Sequence, residues 1–361
     1  MKRRWIYIVA VPLTVLLGVA GLRLHHEPSP EDVRSQLGFI RAELDEGAAA
    51  RMQKLFPEGY IFSYLLYGLG WADLAHARPD WREEALREAL WALERVDSVR
   101  AREMFPEEQA VPHGVFYAGW TAWLYARVLG IEGSPSEVLR PRLQELTRQV
   151  ANVLDESSTP FLEAYPGGAW PCDTVVAVAA LAEHDRVLEG RYAPTVRRWL
   201  GDVETRLDDS GLLAHRVNPE TGAPLQGARA TSSTLIARFM GAIDPRAGTS
   251  YYRATRAAFI TTRLGLTGTA EYPNGEEGEG DVDSGPLILG VSASASVVMA
   301  SAAAFYGDEA TANALFGTME LAGLPIDVGP GKRYGFGLLP VGDAFVAWAS
   351  AAQPAVTVRT Q

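Results

Sequence analysis

Two stretches of this chain set carboxyl groups close to aromatic residues or to one another, just ahead of apolar runs rich in small residues. Residues 163–173 carry Tyr165, two glycines, Trp170, Cys172 and Asp173 within eleven positions. Asp173 there could donate or accept a proton, with Tyr165 and Trp170 as flat surfaces for a ring-shaped ligand. The competing reading makes Asp173 a helix cap and Trp170 a core residue. Residues 276–285 hold Glu276, Glu277, Glu279, Asp281 and Asp283. Crowded carboxylates repel, which lifts some of them toward the range a general acid needs. Asp281 and Asp283 read as sharing one side of an extended segment, with Asp283 nearer the helix expected to follow at once. A cation site or a solvated acidic loop are the alternatives, although the Asp-x-Asp-x-Asp-Gly order of a calcium loop is incomplete.

Smaller groups join these two. His113 and Tyr117 are four residues apart, a spacing that puts both on one face of a helix, where they could orient a substrate or pass a proton. A structural histidine is the alternative. Cys172 could be a nucleophile with His113 as its base. Arg229, Thr231, Ser232 and Ser233 offer donors to hydroxyl or carboxylate groups, with capping as the rival role. Tyr60, Trp120 and Tyr334 complete the ligand-contact candidates, with Arg333 and Phe336 beside the last. Other templates fail: residues 329–332 lack the flanking residues of a phosphate loop, and neither Gly-x-Ser-x-Gly nor His-Glu-x-x-His occurs. No metal or cofactor is expected.

The elements that would position these residues repeat. Gly59, Gly114, Gly168, Ala228, Ser284 and Gly337 mark six similar segments at intervals of 55, 54, 60, 56 and 53 residues. Each continues as a helix apolar nearly all round, as over residues 116–128, 174–183 and 290–305. Between them lie one-sided helices: residues 137–154 carry Leu139, Leu143, Leu146, Val150 and Leu154 at helical spacing. Residues 81–96 and 193–207 read the same way, and Ser29-Pro30-Glu31-Asp32 is a capped helix start. Short β-branched runs such as residues 356–358 are too few for a sheet. Six outer–inner pairs give an all-α fold, an (α/α)6 toroid around a central cavity, as one domain over residues 29–353 with a tail at 354–361.

In that architecture the chain resembles the six-hairpin glycosidases, which implies a sugar-binding cleft ringed by inner-helix N-termini. Phe116-Tyr117-Ala118-Gly119-Trp120, Glu163-Ala164-Tyr165 and Trp170-Pro171-Cys172-Asp173 also resemble linalool dehydratase/isomerase-type toroids. That likeness implies an exported protein; the linalool enzyme uses two cysteines, whereas this chain has only Cys172.

Composition narrows the partners. A net charge of -11 argues against nucleic acid, whose binding rests on Lys and Arg meeting phosphates. One cysteine excludes an internal disulfide. Lys2, Arg3 and Arg4 precede an apolar run over residues 5–22, read as a membrane anchor or a cleavable signal within residues 1–28. Either places the domain outside the cytoplasm, anchored or secreted. The expected function is carboxylate acid–base catalysis on a small molecule or oligosaccharide, with Asp173 and Asp283 as the pair. A glycoside hydrolase or lyase leads; a dehydratase/isomerase on a small isoprenoid-like alcohol, using Cys172, Tyr117 and Asp173, and a non-catalytic ligand-binding toroid are the rivals.

Overall fold

The computed structural model describes residues 28–273, 275–328 and 331–352. The apolar N-terminal segment and the tail after Pro354 lie outside them. Along the chain run α1 (Pro30–Asp45), α2 (Ala48–Gln53), α3 (Gly59–Ala77), α4 (Arg82–Val96), α5 (Val99–Arg102), α6 (Gly114–Leu129) and α7 (Ser136–Glu156). Then come α8 (Pro171–Val187), α9 (Ala193–Glu204), β1 (Arg216–Val217), β2 (Pro224–Gln226), α10 (Ala230–Ile243) and α11 (Pro245–Phe259). The rest is β3 (Ile260–Arg263), β4 (Leu266–Ala270), β5 (Val291–Ser292), α12 (Ala293–Phe305), α13 (Glu309–Ala322), β6 (Ile326–Val328), β7 (Gly331–Arg333) and α14 (Pro340–Ala351).

The helices are of two kinds, and the pattern of apolar residues decides which is which. In α3, α6 and α8 nearly every residue is buried. In α7 only a stripe is, led by Leu139, Leu143, Leu146, Val150 and Leu154. The buried helices α3, α6, α8, α10, α12 and α14 each pack on the next, and α14 returns to α3. Outside them, α1 covers α3 and α14, α4 covers α3, α7 covers α6 and α8, and α9, α11 and α13 cover α8, α10 and α12. This mostly helical double layer is compatible with a helical toroid. Small residues let the inner layer close: a Cβ on Gly119 of α6 would stand 2.8 Å from the Ala177 Cβ of α8. Helix starts follow local chemistry, as in α1, where Ser29 Oγ accepts from the Asp32 N–H at 3.1 Å and Asp32 accepts from the Ser29 N–H at 3.0 Å.

The middle of the ring is filled. Trp120 of α6 meets Phe62 of α3 at 5.4 Å, Phe239 of α10 at 5.1 Å and Trp348 of α14 at 6.4 Å. Phe239 and Trp348 stack at 6.2 Å. The opening expected along the axis is therefore closed at this level, and Trp120, a candidate ligand contact, is core. Truncating such a residue would cost about 3–5 kcal/mol.

Strands are more numerous than expected. Three small antiparallel sheets, β1–β2, β3–β4–β5 and β6–β7, decorate the connections. The β3–β4 hairpin has a local cause: Ile260, Thr261, Thr262, Thr267 and Thr269 favour the pleat, while Leu264 and Gly265 turn at φ 51° and 80°. Because β5 intervenes, α12 begins at Ala293, capped by Ser292, and does not follow the acidic loop at once.

Candidate active site

Starts and ends of the inner helices segregate. Glu58, one residue ahead of α3, accepts a hydrogen bond from the Tyr165 hydroxyl in the loop before α8. The start of α6 joins the same loop through Val115 N–H to Glu163 O at 2.9 Å. Tyr165 lies in a tight turn with Gly168, its ring 5.8 Å from Phe105 and 6.0 Å from Trp170. Gly168 is required there, since a Cβ would sit 2.7 Å from the Trp170 ring. Pro171 opens α8, whose start has no side-chain cap, so the capping role considered for Asp173 is not the one it has. Asp173 is 9% exposed and faces Cys172, whose Sγ lies 3.9 Å from Asp173 Oδ1.

The loop before α10 and the acidic loop supply the facing side. Arg229, immediately before α10, donates through Nε to Glu271 at 2.8 Å and through Nη1 to Asp281. Thr231 donates to the same Glu271 at 2.6 Å. Asp281 also accepts from the backbone N–H groups of Asp283 and Ser284, each at 3.1 Å. Asp281 thus closes a turn and pins it to Arg229. The extended segment predicted here is a turn, and its two aspartates have separate surroundings. Ser232, buried in the first turn of α10, lies 2.6 Å from His215 Nδ1.

Those surroundings push the carboxyls apart. Burial, then the negative charges of Glu58 and Asp283, hold Asp173 protonated well above the usual carboxylate range. Asp283 is exposed in the acidic loop, with other groups crowded near its carboxyl. That crowding, with the charges of Asp281 and Glu58, pushes it up to about 6. Asp281 goes the other way: its hydrogen bonds from Arg229 and Ser284 outweigh desolvation and hold it at about 2. Burial and the Glu58 charge raise Tyr165; burial and Asp173 raise Cys172. Burial, helped by Arg229, lowers His215 to about 4, so its ring is neutral near pH 7.

Asp173, Asp283, Cys172, Tyr165, Trp170, Arg229, Ser232 and Asp281 therefore come together at the inner-helix starts. Others do not. His113 precedes α6 at φ 66° and binds Phe105 O through Nδ1 at 2.8 Å. It does meet Tyr117, ring to ring at 5.5 Å, but the Tyr117 hydroxyl donates to Asp97 at 2.8 Å, in a group with Tyr125, Arg102 and Arg142. Tyr60 packs 5.1 Å from Tyr64. Tyr334 donates to Glu320, beside Lys332, at the edge where β7 meets α1. The sequence reading missed Glu58, Glu271 and His215. Glu58 stands directly before an inner helix, a position that could have marked it; Glu271 and His215 carry no local signal.

Two grooves lie elsewhere. One of about 560 Å³ runs between α9 and α11, lined by Leu200, Val203, Leu207, Tyr251 and Ala254. The other, about 210 Å³, adjoins His113, Arg142 and Gln149. Neither is lined by Asp173 or Asp283. Among the described residues no three His, Cys, Asp or Glu side chains are grouped to hold a metal ion, and no helix is long and apolar enough to cross a membrane. Comparison with models of protein families gives no match, and neither does comparison with curated proteins.

Proposed function

We propose that this chain is an acid–base enzyme in which Asp173 donates a proton and Asp283 accepts one. The observation that carries this is a pair of carboxyls at one end of the inner ring in unlike surroundings: Asp173 is buried and raised well above the usual carboxylate range, whereas Asp283, raised to about 6, stands in an exposed loop. Such a separation lets one group act as acid while the other acts as base at one pH. Trp170 and Tyr165 stand edge to face beside Asp173, a surface suited to a sugar ring. The acidic surroundings favour a neutral substrate over an anionic one. The closed ring of inner helices supports the (α/α)6 toroid of the six-hairpin glycosidase type, so the reading is a glycoside-directed hydrolase or lyase. Asp173 protonates the departing oxygen; Asp283 takes the proton from water, or from carbon in a lyase. The apolar N-terminal segment supports export or anchoring of this domain.

A second reading, dehydration or isomerisation of a small alcohol, is favoured by Cys172 beside Asp173, although Tyr117 stands apart with Asp97. The test sets neutral oligosaccharides against small isoprenoid alcohols, assayed for turnover with wild type, Asp173→Asn and Asp283→Asn. Sugar cleavage that falls about 100-fold or more in either variant is expected. Alcohol turnover without sugar cleavage moves the assignment to the second reading. Ligand binding without turnover identifies a binding toroid and ends the catalytic reading.

A further inference from the structure

Among the described residues three lysine or arginine side chains are buried, and two of them have the counter-charges that a buried cation needs. Arg229, at 6% exposure, meets Glu271 and Asp281. Lys332, also at 6%, meets Glu320 at 2.9 Å and Asp32 at 3.6 Å. Arg238, at 7%, meets no carboxylate at ion-pair distance among the described residues. Its Nε donates to the Ser301 hydroxyl of α12 at 3.2 Å, its one hydrogen bond among the described residues. Three aromatic rings stand around it: Cζ lies 4.5 Å from Phe305 of α12, 5.8 Å from Phe239 of α10 and 5.9 Å from Trp348 of α14. Ring faces attract a cation, but they do not accept its N–H groups as an anion does.

The charged groups nearest in the fold are committed elsewhere. Asp73 binds Arg127 at 2.7 Å, and Glu183 binds Arg127 at 3.1 Å and Arg186 at 2.6 Å. Three guanidinium groups, Arg127, Arg186 and Arg238, against two carboxylates leave one positive charge over. Nor does Arg238 cap its own helix: the last turn of α10 holds no basic residue, and its Ala242 carbonyl accepts from Arg186. Burial pulls Arg238 below its usual pKa, opposed by the charges of Asp73 and Glu183 and assisted by Arg127. A guanidinium nonetheless stays ionised near pH 7, so proton loss does not relieve it.

We infer that Arg238 is an anion site, at which a small monovalent anion, chloride being the simplest, meets the free Nη edge of the guanidinium among Phe239, Phe305 and Trp348. One negative charge matches the one positive charge left over. A divalent anion would bring excess negative charge toward Asp73 and Glu183. A group this enclosed is reached by an ion and not by an extended ligand. The ion would tie α10, α12 and α14 together, and it draws on none of the residues of the acid–base reading.

Thermal unfolding of the full chain in sodium chloride and in sodium gluconate, at equal ionic strength, tests the site. Screening is then the same, and only the small anion fits. An ion that binds the folded state alone raises the midpoint with the logarithm of its concentration, once that exceeds its dissociation constant. The wild type should unfold about 2–5 °C higher in chloride. Arg238→Met removes the cation and keeps the bulk, so it should fold, lose that difference, and unfold in gluconate no lower than the wild type. Arg238→Lys keeps a charge without the fork, and should need at least about tenfold more chloride for the same shift. Arg186→Gln removes a half-exposed arginine that is paired with Glu183, and should keep the chloride preference. Circular dichroism checks that each variant is folded, and Arg238→Lys carries the test if Arg238→Met is not. Equal wild-type midpoints in the two salts overturn the site. So does a chloride preference that survives in Arg238→Met, is unchanged in Arg238→Lys, or disappears in Arg186→Gln. No turnover is read, so the site stands or falls apart from the proposed function.

Discussion

The two ends of the inner ring are built from the same six helices and are chemically opposite. At the helix ends, Arg127 of α6 bridges Asp73 of α3 at 2.7 Å and Glu183 of α8 at 3.1 Å. Arg186 returns to Glu183 at 2.6 Å and to Ala242 O of α10, and Arg238 donates to Ser301 of α12 at 3.2 Å. At the helix starts, Glu271, Asp281 and Asp283 crowd about Arg229, and Asp173 faces Glu58 and Asp283. Helix dipoles favour this polarity, with anions at N-termini and cations at C-termini. They do not explain why one end is organised by ion pairs, with His184 Nε2 a buried atom lacking a partner among the described residues, while the other gathers several carboxyls and a buried one raised well above the usual range. A fold optimised for stability alone would have no use for a buried carboxyl beside other acids. Carboxyls crowded in this way are the mark of a site.

The largest effect should come from breaking the paired end. Arg127→Met leaves Asp73 and Glu183, both about 6% exposed, without their shared cation. Losing one partner of a buried ion pair costs about 3–5 kcal/mol, read as a lower urea midpoint with an unchanged slope. A loss under about 1 kcal/mol would mean that this end is as loosely held as the other, and the contrast would fail.

Much of this contrast was legible in the sequence and much was not. The one-sided stripe of α7 and the all-round apolar run of α6 announce outer and inner helices, because burial repeats with the helical period. Asp173, Cys172, Tyr165 and Trp170 were legible as a group because they sit in one short loop. His215 was not. It meets Ser232 of α10 from the loop just before β1, and no local pattern encodes that contact. Nor could spacing show that Asp281 binds Arg229 while Asp283 does not share its turn-closing role. His113 and Tyr117 have the spacing of a functional pair, yet Tyr117 binds Asp97 and His113 binds Phe105 O. Trp120 shows the limit of aromatic content as a signal, since the same ring can line a ligand or close a core.

A smaller effect of opposite sign is expected at the crowded end. Folded Asp173 stays protonated well above the ordinary value of 3.8 at which it ionises when unfolded. The folded state then holds more protons, so this group's stabilisation is complete below that value and is lost as pH rises toward the folded value. Asp173→Asn carries no such penalty. It should raise the unfolding temperature near pH 7, with the gain closing toward about pH 4. Thermal unfolding across that range measures it. A variant destabilised at neutral pH would place Asp173 among the groups that hold the fold together.

The smallest effect separates the two ends most finely, because it removes one hydroxyl and leaves the ring. Tyr165→Phe loses the hydrogen bond to Glu58 but keeps the contacts with Phe105 and Trp170. Glu58 is only half-buried, so water can replace the hydroxyl, and the loss should be about 1 kcal/mol or less by chemical denaturation. Tyr125→Phe is the matched control: its hydroxyl donates at 2.9 Å to Asp97, which keeps Arg142, Arg102 and Tyr117. Both variants should unfold nearly as the wild type does. Their ligand behaviour should differ, since Tyr165 borders Asp173 and Asp283 electrostatically and Tyr125 does not. If Tyr165→Phe costs more than about 2 kcal/mol, the Glu58–Tyr165 contact is a structural clasp between α3 and the loop before α8, and the site shrinks to the carboxyls alone.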